Sequence, residues 1–242
     1  MRSSAWSVPR ARRGCNPLRV ASAPLLPELF GAAIVTHEVD PFLDPLSELS
    51  PEEADAARNA RAERLLEFRG GRHCARVALS RLGAPGGPVL RAADRSPIWP
   101  EGVVGSITHT RDRGRGFCGA AVARASVVRA VGIDAEFDEP LEKKLWRRVL
   151  TKREAAWISA RPEAEQGFLG MLVFSAKESV YKCQYTLSQE FLEFAEVELE
   201  PPGDAAFRAV LRREAAPFAA GHVFSGRYVR REGYLVTGVA LE

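Results

Sequence analysis

The sequence lacks three features that would place it in a special class of protein. Its four cysteines are scattered, with no C-x-x-C pair, which argues against a zinc framework or a disulfide scaffold. No apolar run approaches the about 20 residues that a membrane-spanning helix needs. The net charge of +3 is too small to indicate nucleic acid as a partner. With 46% apolar and 27% charged residues, the chain is predicted to be a globular cytoplasmic protein.

Lysine is also scarce, with five lysines against twenty-nine arginines. Two of the five, Lys177 and Lys182, fall in one short predicted helix. Lysine is the compact cation whose proton can be moved, whereas a guanidinium stays charged. Upstream, Asp134 and Glu136 alternate along a predicted strand, so both carboxylates point to the same face. Carboxylates together with a titratable ammonium indicate metal-assisted phosphate chemistry.

The first 27 residues contain five arginines and no acidic residue. Such a composition is also found in transit peptides, but the segment shows no clear amphipathic pattern. We interpret residues 1–27 as a flexible extension, with the folded part of the chain beginning near Pro24.

The order of helix and strand signals predicts an α+β fold with two similar lobes. Ser50, followed by Pro51 and by Glu53 at the third helical position, is typical of a helix start. The helix is predicted to be interrupted at Gly70 and Gly71. Strands follow the helices in each half, which predicts a small antiparallel sheet of about three strands in each lobe. We expect an N-terminal lobe over residues 28–126 and a C-terminal lobe over 127–242.

Two acidic motifs can each be explained structurally or functionally. Asp134 and Glu136 are either a solvent-facing strand end or two hard oxygen ligands for Mg²⁺, which needs only one or two carboxylates besides phosphate and water. Ser175 and Glu178 match a helix-capping box, and Glu178 with Lys182 forms an i,i+4 pair. Glu178 is equally a third acidic ligand for the same ion.

A set of basic residues upstream has the composition of a phosphate site. Arg64 and Arg72 lie on either side of the two glycines, and His109 ends a predicted strand. Guanidinium groups match phosphate oxygens, and a histidine ring nitrogen can donate to them. The alternatives are a solvated basic helix face and a structural histidine.

The motifs occur in a recognisable order, and together they resemble the 4′-phosphopantetheinyl transferases. They are F-x-x-G-R-x-C-A-R, W-P-x-G-x-x-G-S-I-T-H, G-I-D-x-E and F-x-x-K-E-x-x-x-K. The resemblance is to the larger, pseudo-dimeric bacterial type that activates polyketide and nonribosomal peptide synthases. It implies transfer of the phosphopantetheine arm of coenzyme A to a serine of an apo acyl or peptidyl carrier protein, with Mg²⁺ and release of 3′,5′-ADP. Carrier proteins of this class are acidic.

The resemblance also implies a role for individual residues. Asp134, Glu136 and Glu178 would hold Mg²⁺, and Glu178 would take the proton of the serine. Lys182 would attend the diphosphate and protonate the departing ADP. The residues implied in coenzyme A binding are Arg64, Arg72, Arg91, His109 and Lys177.

Two other functions remain open on the residues alone. A Mg²⁺-dependent phosphohydrolase could use the same three carboxylates. A basic nucleic-acid-binding module could use the arginine-rich segments, although the acidic residues would repel phosphate in that role. We expect the transferase, acting as a monomer without nucleic acid or membrane as a partner.

Overall fold

The computed structural model describes residues 23–112 and 114–242. The helices within them are α1 (Pro51–Ala57), α2 (Ala62–Arg81), α3 (Trp146–Val149), α4 (Lys152–Ser159) and α5 (Glu163–Ser188). The strands are β1 (Val35–Val39), β2 (Val103–Asp112), β3 (Arg115–Arg124), β4 (Ala130–Phe137), β5 (Val197–Leu199), β6 (Ala206–Leu211), β7 (Val223–Arg231) and β8 (Tyr234–Leu241).

The strands form two antiparallel sheets, and each packs against one long helix. The first has the order β1-β3-β2 and packs against α2, and the second has the order β4-β8-β7-β6-β5 and packs against α5. The predicted α+β class with two lobes is therefore confirmed. The second sheet has five strands instead of about three, because all the strands predicted after α5 join β4 in one sheet. The predicted boundary between residues 126 and 127 stays a prediction.

The two sheets meet where β2 runs beside β4. The hydroxyl of Ser106 accepts a hydrogen bond from the backbone N–H of Ile133 at 3.1 Å, and the hydroxyl of Thr108 accepts one from Ala135 at 2.9 Å. Side chains of one sheet thus satisfy backbone donors of the other, which buried donors require. These two bonds flank Asp134 and fix its position at the seam between the lobes.

Gly132 allows α5 to lie directly against β4. A Cβ at this position would be 2.0 Å from the carbonyl oxygen of Ser179 and 2.6 Å from the backbone nitrogen of Cys183. No other residue type fits such a close approach. The glycine of the G-I-D-x-E motif therefore brings the acidic residues of β4 next to Glu178 and Lys182 of α5.

The predicted helix break at Gly70 and Gly71 is wrong, because α2 runs through both glycines. Their role is close packing: a Cβ on Gly70 would be 2.6 Å from Sγ of Cys118, and one on Gly71 would be 2.9 Å from Cγ2 of Ile107. The actual break lies between α1 and α2, at residues 58–61. One continuous helix therefore carries Arg64 and Arg72.

Of the two predicted capping boxes, one is confirmed and one is wrong. Ser50 caps α1, with its hydroxyl accepting from the N–H of Glu53 and the Glu53 carboxylate accepting from the N–H of Ser50. Ser175 lies inside α5, which begins at Glu163. Its hydroxyl instead donates to Oδ2 of Asp134 at 2.9 Å.

Ordered contacts begin inside the segment that was predicted to be a flexible extension. Residues 1–22 lie outside the described residues. The N–H groups of Leu25 and Leu26 donate to the Glu38 carboxylate at 2.8 and 2.7 Å, and both leucines are buried.

Among the described helices, none has the length and apolar character to cross a membrane.

Candidate functional site

Four of the predicted binding residues line one cleft of about 670 Å³ between α2, the loop after it and β2. They are Arg64, Arg72, Arg91 and His109. Arg95, which was not predicted, lines the same cleft and has a left-handed backbone, with φ of 76°. A non-glycine residue held at positive φ is uncommon and is often found at a functional site. With Arg58, the cleft therefore gathers five arginines and one histidine.

Arg72 is the most firmly held of these cations. Its Nε donates to the carbonyl oxygen of Val89 at 2.6 Å, and its guanidinium lies 4.3 Å from the centre of the Phe68 ring. Burial lowers the pKa of Arg72 to about 10. The group is still charged at neutral pH, so the cleft has a fixed positive charge at its base.

Glu67 organises the mouth of the cleft, and the sequence analysis missed it. Its carboxylate is buried and lies 2.9 Å from Nη1 of Arg64, 3.1 Å from Nε of Arg111 and 3.6 Å from Nδ1 of His109. The carboxylate relieves the repulsion between the two guanidinium groups and orients all three neighbours. The i,i+3 spacing of Arg64 and Glu67 on one helix was the available signal.

His109 is neutral in this arrangement. Burial lowers the pKa of His109 to about 4, and neighbouring Arg64 acts in the same direction. Nη1 of Arg64 lies 2.9 Å from Nε2 of His109, and a guanidinium can only donate, so Nε2 is the acceptor. The ring proton is then on Nδ1, which faces Glu67.

The three predicted acidic ligands, on β4 and α5, are near enough for their charges to act on one another. Burial raises the pKa of Glu136 to about 8, and the charges of Asp134 and Glu178 add to the effect. Burial also raises the pKa of Glu178, with Asp134 contributing. Mutually repelling carboxylates of this kind are stabilised by a cation.

Lys182 provides positive charge beside these acids. Its Nζ donates to Oδ1 of Asp134 at 2.7 Å and to the carbonyl oxygen of Ile133 at 2.9 Å. The predicted i,i+4 partner was Glu178, but the side chain reaches across to β4. Two of its three N–H groups are used in these bonds, which leaves the third for a ligand.

The donor set fits Mg²⁺ that arrives with a phosphate ligand. Among the described residues, no group of three or more His, Cys, Asp or Glu side chains is already placed to hold a metal ion. Mg²⁺ does not require such a cage, since it commonly binds through one or two carboxylates, substrate phosphates and water. Carboxylate oxygens on facing elements, with pKa values raised by burial and repulsion, provide the hard ligands it prefers.

Lys177 was predicted to contact the phosphates of coenzyme A, but it does not line the cleft that holds the arginines and instead borders a second groove. Its side chain is 1% exposed, and its Nζ donates to Oε2 of Glu154 at 2.7 Å and to the carbonyl oxygens of Val149 and Phe194 at 2.9 and 2.8 Å. These three bonds use all the protons of the ammonium group. Lys177 is therefore a core residue that joins α5 to α4.

A second groove, of about 740 Å³, begins at Glu178. Its wall includes Tyr181 of α5 together with Phe191 and Phe194, and Phe191 is 69% exposed. Arg147 and Arg148 lie at its rim and are exposed. The acidic cluster thus borders this apolar groove through Glu178, and the charge of Asp134 acts on His109 in the first, cationic cleft.

The chain matches known proteins over both halves. Residues 52–123 match the 4′-phosphopantetheinyl transferase N-terminal domain, and residues 130–237 match the 4′-phosphopantetheinyl transferase superfamily. The chain is 42% identical to the 4′-phosphopantetheinyl transferase Svp of Streptomyces mobaraensis, over 82% of this chain and 80% of the relative. It is 31% identical to Npt of Nocardia iowensis, over 89% and 99%, and 37% identical to PptT of Mycobacterium tuberculosis, over 66% of each chain. The protein therefore belongs to the 4′-phosphopantetheinyl transferases, as an enzyme of the larger, two-lobed type.

Proposed function

We propose that the enzyme transfers the 4′-phosphopantetheine arm of coenzyme A to a serine of an apo acyl or peptidyl carrier protein, with Mg²⁺, and releases 3′,5′-ADP. The observation that supports this most is that Asp134, Glu136, Glu178 and Lys182 interact with one another, while Glu178 lines the apolar groove and the charges of Asp134 and Lys182 act on His109 of the cationic cleft. Coenzyme A has the same order of parts: a phosphorylated nucleotide, a diphosphate and an uncharged arm. Polyketide, nonribosomal peptide and fatty acid synthases contain such carriers. We place the reaction in the cytoplasm, with the two lobes acting as a monomer.

The cationic cleft receives the nucleotide end of coenzyme A. Arg72, anchored by Val89, presents a rigid guanidinium, while Arg64 is more exposed and free to turn from His109 to a phosphate. Arg91 and Arg95 approach from the loop on the opposite wall. Guanidinium forks match phosphate oxygens geometrically, so this set binds a 3′-phosphate and one end of a diphosphate.

The reacting atoms lie over the acidic cluster. Mg²⁺, when bound, would draw negative charge from the diphosphate. Lys182 presents its remaining N–H to the departing 3′,5′-ADP and can give up a proton to it, which an arginine cannot do at neutral pH. Glu178, with its pKa raised by burial, accepts the proton of the carrier serine directly or through a water.

The apolar groove receives the pantetheine arm. It opens next to Glu178 and is lined by aromatic side chains, including Tyr181, Phe191 and Phe194. An arm with two amides and aliphatic segments fits a largely apolar wall with few polar groups. The carrier serine must then approach from the rim of this groove.

Weakening the cationic cleft should affect coenzyme A binding selectively. We expect Arg72→Gln to raise the KM for coenzyme A about 10- to 100-fold, since a hydrogen bond to a charged phosphate contributes about 1.5–3 kcal/mol. Steady-state kinetics at varied coenzyme A will measure this. Arg124→Gln is the control, because Arg124 bonds the carbonyl oxygens of Leu82 and Gly83 and does not line the cleft. Equal KM values for both variants would contradict the assignment.

The exposed arginines at the groove rim should attract the acidic carrier. Replacing both Arg147 and Arg148 by Glu is expected to raise the KM for the carrier about tenfold and to flatten its dependence on salt, with the KM for coenzyme A unchanged. The double variant Arg208→Glu and Arg227→Glu has the same change in net charge on exposed positions of β6 and β7. An equal loss in both double variants would mean that net charge alone, and not this rim, guides the carrier.

Mass spectrometry of the carrier tests the proposed function directly. The protein is mixed with coenzyme A, Mg²⁺ and an apo carrier domain, and the expected product is the carrier with the added mass of one phosphopantetheine arm. A carrier whose serine is replaced by alanine must stay unmodified. Consumption of coenzyme A without any carrier would instead favour the phosphohydrolase, and unchanged apo carriers from several synthases would contradict the transferase.

A further inference from the structure

A chain of three buried hydroxyl groups leads to the carboxylate of Asp134. The Ser175 hydroxyl lies 2.9 Å from Oδ2 of Asp134 and 2.9 Å from Oγ1 of Thr237. Oγ1 of Thr237 lies 2.5 Å from the hydroxyl of Ser179. All three hydroxyl residues are fully buried, and Asp134 is 5% exposed. The chain joins α5 to β8, whose Thr237 is the register partner of Asp134 on β4.

Counting the hydroxyl protons fixes the direction of this chain. Ser175 donates to Oδ2 of Asp134, whose other oxygen, Oδ1, accepts from Lys182. Thr237 directs its proton to the Ser175 side, where both the hydroxyl and the carbonyl oxygen of Ser175 are within 3.0 Å. Ser179 must then donate to Thr237. Ser175 thus donates to Asp134, while Thr237 and Ser179 bond the Ser175 end of the chain and hold it in place.

We propose that Ser175 and Thr237 are positioning residues that orient the Asp134 carboxylate for the cation. The inference rests on the proposed role of Asp134 as a metal ligand. Oδ2 is held toward the core by Ser175, so Oδ1 faces the side where Lys182 lies and where the diphosphate would enter. A carboxylate that is held at one oxygen can present its other oxygen to the cation without a change of rotamer. Removing a group that supports a metal ligand in this way typically lowers metal affinity about 10- to 100-fold.

Ser175, within the motif F-x-x-K-E-x-x-x-K, has a role other than helix capping. In Phe174-Ser175-Ala176-Lys177-Glu178 the serine is not a helix cap, since α5 begins at Glu163. A serine inside a helix usually bonds the preceding turn or faces solvent. Here it crosses to β4 and holds the acid of the other motif. The alternative is that the hydroxyls only satisfy one another in a buried core.

Two substitutions of Thr237 separate packing from hydrogen bonding. Thr237→Val keeps the shape and removes the hydroxyl, whereas Thr237→Ser keeps the hydroxyl and removes the methyl group. Ser175→Ala removes the direct bond to Asp134. Ser188→Ala and Thr186→Val are matched controls on α5, with hydroxyls that bond Gln184 and the Lys182 carbonyl oxygen instead.

The experiment measures Mn²⁺ affinity of the full chain in the presence of coenzyme A, from the electron paramagnetic resonance signal of free Mn²⁺. Thermal unfolding without metal gives the stability of each variant separately. We expect Ser175→Ala and Thr237→Val to bind Mn²⁺ about 10- to 100-fold more weakly, and Thr237→Ser and both controls to stay within about threefold of wild type.

Each outcome distinguishes the inference from the function on which it rests. Mn²⁺ affinities of Ser175→Ala and Thr237→Val within about threefold of wild type would overturn the positioning role while leaving the metal site intact. Equal losses in Thr237→Val and Thr237→Ser would also overturn it, because packing would then be the cause. No Mn²⁺ binding by the wild-type chain with coenzyme A would contradict the proposed metal site itself. If Ser175→Ala does not fold, the Thr237 pair still decides the question.

Discussion

Replacing Asp134 with Asn should lower kcat for carrier modification by at least about a thousandfold, because several kcal/mol of charge stabilisation on the diphosphate are lost with the cation. The amide has nearly the same shape, and Ser175 can still donate to its oxygen. It has no charge, however, so both the cation and Lys182 lose their partner. The fold should survive, since Asp134 is held by the backbone bonds of β4 on both sides.

The measurement is single-turnover modification of the carrier, followed by intact mass. Asp204→Asn is the matched control, because Asp204 is exposed in the turn before β6. Circular dichroism and a melting curve check that both variants fold. Retention of more than about a tenth of the wild-type rate by Asp134→Asn would exclude Asp134 as a ligand to a cation that stabilises the transition state.

The second large effect is on stability. Lys177→Met should lower the free energy of unfolding by about 3–5 kcal/mol, because it leaves the carboxylate of Glu154 buried without its countercharge. Glu154 is fully buried, and the carbonyl oxygens of Val149 and Phe194 lose a donor as well. Burial lowers the pKa of Lys177, and the charge of Glu154 acts against this.

Urea unfolding followed by circular dichroism gives this free energy. Lys152→Met, on the exposed face of α4, should change it by less than about 0.5 kcal/mol. Lys177 also borders the apolar groove, so the KM for coenzyme A would not isolate a contact with phosphate. A Lys177→Met variant as stable as wild type would contradict the role of this buried ion pair in stability.

The contrast between the two lysines shows where the sequence was sufficient and where it was misread. At 3.6 residues per turn, Lys177 and Lys182 point about 140° apart on α5, so one site cannot use both. Glu178 and Lys182 are about 40° apart and share a face. Both lysines were predicted to lie in one helix, so helical geometry alone could have separated the core lysine from the site lysine before the structure was known.

Sequence signals predicted a structural feature correctly where that feature depends only on residues nearby in the sequence. The capping box at Ser50 needs nothing beyond the next three residues. The box at Ser175 failed because the helix had already begun twelve positions earlier and its hydroxyl is taken by β4. Gly70 and Gly71 were misread for the same reason, since their small size serves contacts with β2 and β3 rather than a break in α2.

Residues that act through distant partners were not predictable from spacing. Glu67 matters because it faces Arg111 and His109 on β2, far away in the sequence. Arg95 lies in a loop rich in proline and glycine, and its positive φ cannot be read from its residue type. The order of the motifs nevertheless indicated the family. Gly132 lets α5 lie directly against β4, which places the acidic residues of these two motifs on adjacent elements.

We propose that Asp134, Glu136 and Glu178 share a divalent cation with the diphosphate of coenzyme A. Crystals of the full chain grown with coenzyme A and Mn²⁺ test it through the anomalous scattering of manganese. We expect one anomalous peak, at a manganese ion that lies within about 2.5 Å of carboxylate oxygens from both β4 and α5 and contacts the diphosphate. Bound coenzyme A with no such peak, or a peak away from these carboxylates, would contradict it.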